Sequence, residues 1–255
     1  MKFKNILAFV LASPLWAICN ATVIYEYDKS NPPVAELKII DEIKRNEEIE
    51  FGRILGEMEN KGIKLKLNSI QLNSRGGNFD ASMEIGKIIR EKNLNTFVSN
   101  DSVCESSCVF ILSSGIVRMA FGTVGVHRPV YVGSDEKQIS RKNIDIDDKI
   151  MSNYLYEMGM SWNLSEAIRM TPSWKIRVLT TDEKINWGLN GTDRMYEELW
   201  FRNIGNKLGL KRNEIIEKVK LYSKDCVLNA KYFKETTWEC FDRKINTNLP
   251  LNKPN

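Results

Sequence analysis

The chain is nearly without histidine: His127 is its only one. That excludes a metal site built on a histidine cluster, and any step needing an imidazole must use this one residue. Charge imbalance is equally scarce. Lys and Arg number 37 against 33 Asp and Glu, a net charge of +4, too slight an excess to indicate a nucleic-acid partner. Internal repeats and low-complexity tracts are lacking, and no long apolar run occurs beyond the N-terminus. What is there is a 255-residue chain, 42% hydrophobic and 27% charged. It is too apolar for disorder and too charged for a multi-span membrane protein. The length suits one domain with an appendage, or two small domains.

The N-terminus reads as an address. Residues 1–21 carry Lys2 and Lys4, then a nearly unbroken apolar run from Ile6 to Ile18, then small residues around Cys19-Asn20-Ala21. This is the anatomy of a secretory signal peptide cleaved near Ala21. The run is shorter than a spanning helix needs, and Pro14 interrupts it. The alternatives are an uncleaved N-terminal anchor and, more weakly, a lipoprotein through Cys19. The expected location is periplasmic or secreted.

Export changes the cysteine arithmetic. Without Cys19 there remain Cys104, Cys108, Cys226 and Cys240, an even number in an oxidising compartment, so disulfides are expected. Four cysteines allow three connectivities. Local pairing, Cys104 with Cys108 and Cys226 with Cys240, is preferred because each pair is close in sequence, but sequence does not settle it. The spacings are unlike paired zinc knuckles, so neither metal nor any other cofactor is expected.

Along residues 22–193, strands and helices alternate. Val34–Ile40 reads as a strand, Ile43–Asn60 as a helix, and Ile63–Leu67 and Ser69–Asn73 as strands. Ser74–Gly77 reads as a tight turn and Asp80–Glu91 as a helix. Thr96–Val98, Val117–Phe121 and Val124–Val126 are short extended pieces, with a buried run at Val109–Leu112 between them. Ile144–Met158 and Ser165–Met170 read as helices. This order implies an α/β fold with a largely parallel sheet. Residues 194–255 differ: helical stretches around Tyr196–Leu208 and Glu214–Tyr222 precede a cysteine-bracketed segment, and Asn246–Asn255 is expected to be loose.

Three segments carry candidate chemistry. Gly76-Gly77 lies between a strand and a helix, where bare amides favour an oxyanion or phosphate, although such a pair is more often only a turn. Ser106 and Ser107, between Cys104 and Cys108, stand at a strand-to-helix corner. There a serine can be a nucleophile, or, more commonly, a helix cap. His127 follows a short strand and precedes Arg128-Pro129; a lone histidine is more often structural than catalytic.

Order and spacing join the three. LNSRGG (72–77), SSCVFILSSG (106–115) and GVHRP (125–129) resemble the motifs of the Clp protease proteolytic subunit family, of the ClpP/crotonase fold, and above all its exported, ClpP-like bacterial members. The resemblance spans about residues 34–193. It implies repeated ββα units, with residues 194–255 as a small, mainly helical C-terminal extension. It also implies that Ser106 is the nucleophile and His127 the general base. Gly76, Gly77 and the Ser107 amide would form the oxyanion hole, and the substrate would be a peptide or protein. Rings or trimers are common on this fold, so a homo-oligomer is an option by analogy. An ATP-driven unfoldase partner is not expected outside the cytoplasm, and a crotonase-type acyl-CoA activity is disfavoured for the same reason.

Two positions depart from the family pattern. Arg75 replaces a proline and sets a cation beside the oxyanion loop, either for an acidic substrate group or merely facing solvent. Ile176, between Lys175 and Arg177, occupies the position of the triad aspartate. Losing such an acid typically costs roughly 10⁴ in rate. Glu166 and Asp182 are the nearest acids in sequence. Two readings follow: a serine hydrolase using a Ser-His dyad or incomplete triad, or an inactive ClpP-like module that binds peptides or proteins.

Overall fold

The computed structural model describes residues 23–27, 33–129, 141–231 and 237–247; the signal segment expected at 1–21 lies outside them. In chain order the elements are β1 (Val23–Tyr27), β2 (Val34–Ile43), α1 (Glu47–Asn60), β3 (Lys64–Gly77), α2 (Phe79–Glu91), β4 (Asn95–Val98), β5 (Val103–Glu105) and α3 (Cys108–Ser114). They continue as β6 (Val117–Ala120), β7 (Thr123–Val126), α4 (Arg141–Glu157), α5 (Trp162–Met170), β8 (Arg177–Val178), α6 (Thr181–Asn186), β9 (Gly191–Thr192), α7 (Arg194–Leu208), α8 (Arg212–Lys231) and α9 (Thr237–Thr247). The fold is α/β, as the sequence implied.

The sheet branches at β3. This long strand pairs with β2 along one edge and with β4 at Ser69–Gln71, while Ser74 near its end pairs with Cys104 of β5. One branch continues β4-β6-β9 and the other β5-β7-β8. The β2–β3, β3–β4, β3–β5, β4–β6 and β5–β7 pairs are parallel, and antiparallel pairs close the edges. The runs β4-β5-α3 and β6-β7-α4 each send one strand to either branch and then a helix, which are the expected ββα units.

Local chemistry explains the elements. In β2, Ala35, Leu37, Ile39 and Ile43 are buried, the alternation of a strand with one face on the core. Helix α2 buries Ala81, Ile85 and Ile89 on one face, the spacing of an amphipathic helix. Its Asn78 cap accepts from the Ala81 amide at 2.9 Å. Thr180 and Glu183 form a capping box on α6, satisfying donors that would otherwise be orphaned.

Several boundaries differ from the sequence reading. Ser74–Gly77 is not a tight turn. Strand pairing continues through it, Ser74 with Cys104, Gly76 with Glu42 and Gly77 with Ile43, so β3 stays extended. The two strands expected at 63–73 are one, broken only by a register irregularity where Leu67 and Asn68 take positive φ. Ile43 ends β2 instead of opening a helix, because its side chain is needed in the core. At the C-terminus, Asn246 and Thr247 belong to α9, and residues 248–255 lie outside the described set.

Buried side chains fall into two clusters, one drawn from Val23 to Leu189 and one from Trp200 to Ile245. The second is aromatic: Trp200 and Trp238 have centroids 4.8 Å apart, and the Trp200 indole donates to Asp242 at 2.8 Å. The Cys226–Cys240 disulfide lies within it. Between the clusters sits Asp193. It caps α7 by accepting from the Tyr196 amide, and its other oxygen meets Arg118 at 3.0 Å and Arg90 at 3.2 Å. Burial pushes the Arg118 guanidinium down to about 10, reinforced by neighbouring Arg90 and opposed by Asp193. Among the described residues, no helix is long and apolar enough to cross a membrane.

Candidate active site

Ser106, which with Ser107 links β5 to α3, has φ of 55°, a left-handed conformation that a residue with a side chain adopts at a cost of order 1 kcal/mol or more. Four constraints hold it there. Its amide donates to the Gly125 carbonyl at 2.9 Å, its carbonyl accepts from Val109 at 3.1 Å, Cys104 and Cys108 are disulfide-bonded across it, and Gly76 lies against it. A Cβ on Gly76 would come within 2.7 Å of the Ser106 Cβ and 3.0 Å of the Ser107 nitrogen. Gly76 also has φ of 101°, so glycine is required there twice over.

The capping alternative for the serines is not realised. Ser107 is the N-cap of α3 but makes no side-chain cap bond, and its hydroxyl is buried without a partner. Its amide has no acceptor among the described residues. The Gly76 amide is different: it donates to Ser74 Oγ at 3.0 Å. Gly77 does not face Ser106. Its missing Cβ would strike the Ile43 backbone at 2.2 Å, so this glycine serves the close approach of β2 and β3. A cavity of about 710 Å³ opens beside the loop, lined by Asp41, Glu42, Asn73, Arg75, Asp101 and Val103 together with the two glycines.

His127 lies just past the end of β7, partly exposed. Its Nδ1 is 2.8 Å from the Arg128 carbonyl oxygen. A carbonyl only accepts, so Nδ1 carries a proton, and in the neutral ring the lone pair is then on Nε2. The Arg128 amide in turn donates to the Thr171 carbonyl at 2.9 Å. Register brings the serine and histidine segments together, with Glu105 opposite Gly125 and the Ser106 amide on the Gly125 carbonyl. Among the described residues no hydrogen bond joins Ser106 to His127.

Ile176, where the sequence resemblance would put an acid, packs over β7; its Cγ2 is 2.5 Å from where a Gly125 Cβ would stand. Neither sequence candidate for a replacement acid is placed beside the histidine by any pairing. Glu166 is bound by Arg169 at 2.6 Å, and Asp182 is exposed in the first turn of α6. Arg75 is occupied: its guanidinium lies 3.3 Å from Glu105. Sequence reasoning missed Glu105. A charged residue directly before a candidate nucleophile was the available signal. Among the described residues, no group of side chains is arranged to hold a metal.

No protein-family model and no curated protein sequence matches the chain. Among solved structures it is similar to a serine-to-alanine mutant of the 1510-N membrane-bound stomatin-specific protease, at 17% identity and a TM-score of 0.47, covering 60% of this chain and 75% of that one. It is also similar to a lysine-to-alanine mutant of the same protease in complex with a substrate peptide, at 16% identity and a TM-score of 0.46, covering 60% and 71% respectively.

Proposed function

We propose that the chain is an exported ClpP-like serine hydrolase, acting on peptides or proteins through Ser106 and His127. The observation that carries this reading is the Ser106 elbow. A strained serine, stapled by a buried disulfide and pressed against a glycine at positive φ, is costly to maintain for structure alone.

His127 Nε2 takes the Ser106 proton as Oγ attacks the acyl carbon. The Ser107 amide receives the oxyanion. The Gly76 amide joins it on releasing Ser74 Oγ, each such donor contributing about 3 kcal/mol. His127 then returns the proton to the leaving group, and water frees the acyl-enzyme. The signal segment 1–21 supports a periplasmic or secreted location, where neither nucleotide-driven unfolding nor nucleic acid is part of the reaction. A homo-oligomer remains part of the proposal by analogy of fold.

The second reading, an inactive peptide- or protein-binding module, is favoured by Ile176 at the acid position and by the absence of a Ser106–His127 hydrogen bond among the described residues. Labelling of the mature protein with a fluorophosphonate separates the two. The hydrolase is labelled, and both Ser106→Ala and His127→Ala lose the label. An unlabelled wild type, with its disulfides intact or reduced, leaves the binding module.

A further inference from the structure

The two family departures, a cation at Arg75 and an apolar residue at Ile176, meet at one carboxylate. Glu105 is paired in register with Gly125 across β5 and β7. The missing side chain of Gly125 is what gives it room: a Cβ there would stand 3.2 Å from Glu105 Cγ and 2.5 Å from Ile176 Cγ2. Glu105 therefore leans over β7. His127 stands two residues beyond Gly125, just past the end of this strand, about 6.6 Å further along in extended chain. The Glu105 side chain is 11% exposed, whereas its partner Arg75 is 80% exposed. An ion pair with so exposed a partner is weak, and its partner is easily exchanged.

We infer that Glu105 is the positioning acid of the site, shared between Arg75 and His127. Arg75 holds the carboxylate while the imidazole is neutral. When His127 takes the Ser106 proton, the carboxylate compensates the imidazolium, the work an aspartate at position 176 would otherwise do. The other described charges around His127 are cationic or already bound. Arg128 is adjacent and exposed, Lys175 flanks Ile176, and Arg177 is held by Glu183. Asp148 interacts with Arg169 and Arg128 and is held above its ordinary value chiefly by burial.

The catalytic part of this role rests on the hydrolase reading, but the sharing of Glu105 can be tested without it. His127 is the sole histidine, so its ring protons give an unambiguous NMR titration in the mature protein. In Arg75→Gln the carboxylate is released and the His127 midpoint rises by about 0.5–1 pH unit. In the Arg75→Gln/Glu105→Gln double variant the rise disappears. Because Arg75 is exposed and Gln preserves the shape of Glu105, both variants keep the wild-type Tm. A midpoint that moves by less than ~0.2 unit in Arg75→Gln, or equally in the double variant, overturns the inference; these limits scale with the charge effects expected at such range. Fluorophosphonate labelling then follows the same direction, about tenfold slower in Glu105→Gln with its pH profile displaced to lower pH. Labelling of Glu105→Gln at the wild-type rate and pH profile overturns the positioning role. A midpoint that responds to Arg75 and Glu105 in a protein that takes no label supports the shared carboxylate and removes the hydrolase instead.

Discussion

At the scale of single residues, the site is a set of substitutions that each constrain the next. Ser106 has φ of 55°, and the space over it is filled by Gly76, whose own φ of 101° excludes other residues at little strain. Gly76→Ala would drive a methyl into Ser106 Cβ at 2.7 Å and the Glu105 carbonyl at 2.9 Å. Backbone cannot move aside as a flexible side chain can. The expected loss is about 2–3 kcal/mol, read as a lowered urea midpoint, with loss of fluorophosphonate labelling in the protein that remains folded. Ser74→Ala makes the opposite test of the same loop. Its hydroxyl accepts the Gly76 amide and donates to the Asp41 carbonyl. Removing it frees a donor for the oxyanion, so labelling should quicken while stability falls by about 1 kcal/mol. Equal or slower labelling of Ser74→Ala would show that the Gly76 amide takes no part.

At the scale of elements, the decisive feature is that β3 runs on past its pairing with β4 to reach β5. A register irregularity between Ile40 and Glu42 re-aims its end, as bulges near functional sites commonly do, and sets Gly76 beneath the β5–α3 corner. The two disulfides have different tasks at this scale. Cys226–Cys240 spans 14 residues and Cys104–Cys108 only 4, so the chain-entropy argument gives about 3 kcal/mol for the first and about 2 for the second. Replacing both cysteines of the short pair by alanine should therefore cost less stability but more labelling than replacing the long pair; calorimetry and probe labelling on the two double variants check this. Elements with a clean period were legible in the sequence. The alternation in β2 and the i, i+4 spacing in α2 each depend only on neighbours along the chain. The strand-to-helix corner that holds Ser106 and the strand that ends before His127 were legible too, and both local disulfides fit the pairing preferred for closeness in sequence. The end of β3 was not, because an extended Ser74–Gly77 is dictated by partners far along the chain on either side, Glu42 and Ile43 before it and Cys104 after it. The Arg75–Glu105 pair was hidden for the same reason: it is a cross-strand contact between separate motifs.

At the scale of the whole molecule, one carboxylate joins the C-terminal helices to the α/β body. Asp193 begins α7 as its cap, its amide donates to the Ile116 carbonyl at 2.8 Å, and its second oxygen meets Arg118 and Arg90. Arg118 also donates to the carbonyls of Gly188 and Met158, but these are dipoles; among the described residues, the charge it meets is that of Asp193. Asp193→Ala leaves a guanidinium that is 2% exposed without its counter-ion, a loss of about 3–5 kcal/mol. The same group sets an acid limit. Burial opposes the Asp193 charge, yet the Tyr196 amide and the Arg90 and Arg118 guanidiniums outweigh it, and the carboxyl is held below its ordinary value. A carboxyl lowered on folding adds stability that is fully present above its unfolded value near 4 and is lost as pH falls through the lower folded value. Differential scanning calorimetry of the protein should show Tm dropping below about pH 4. Asp193→Asn keeps the shape of the cap, so it should start from a lower Tm at neutral pH and descend less steeply in acid. Parallel acid limbs for the two proteins would mean that Asp193 titrates alike in the folded and unfolded chains, with no lowering on folding, and that the union of body and extension rests on packing alone.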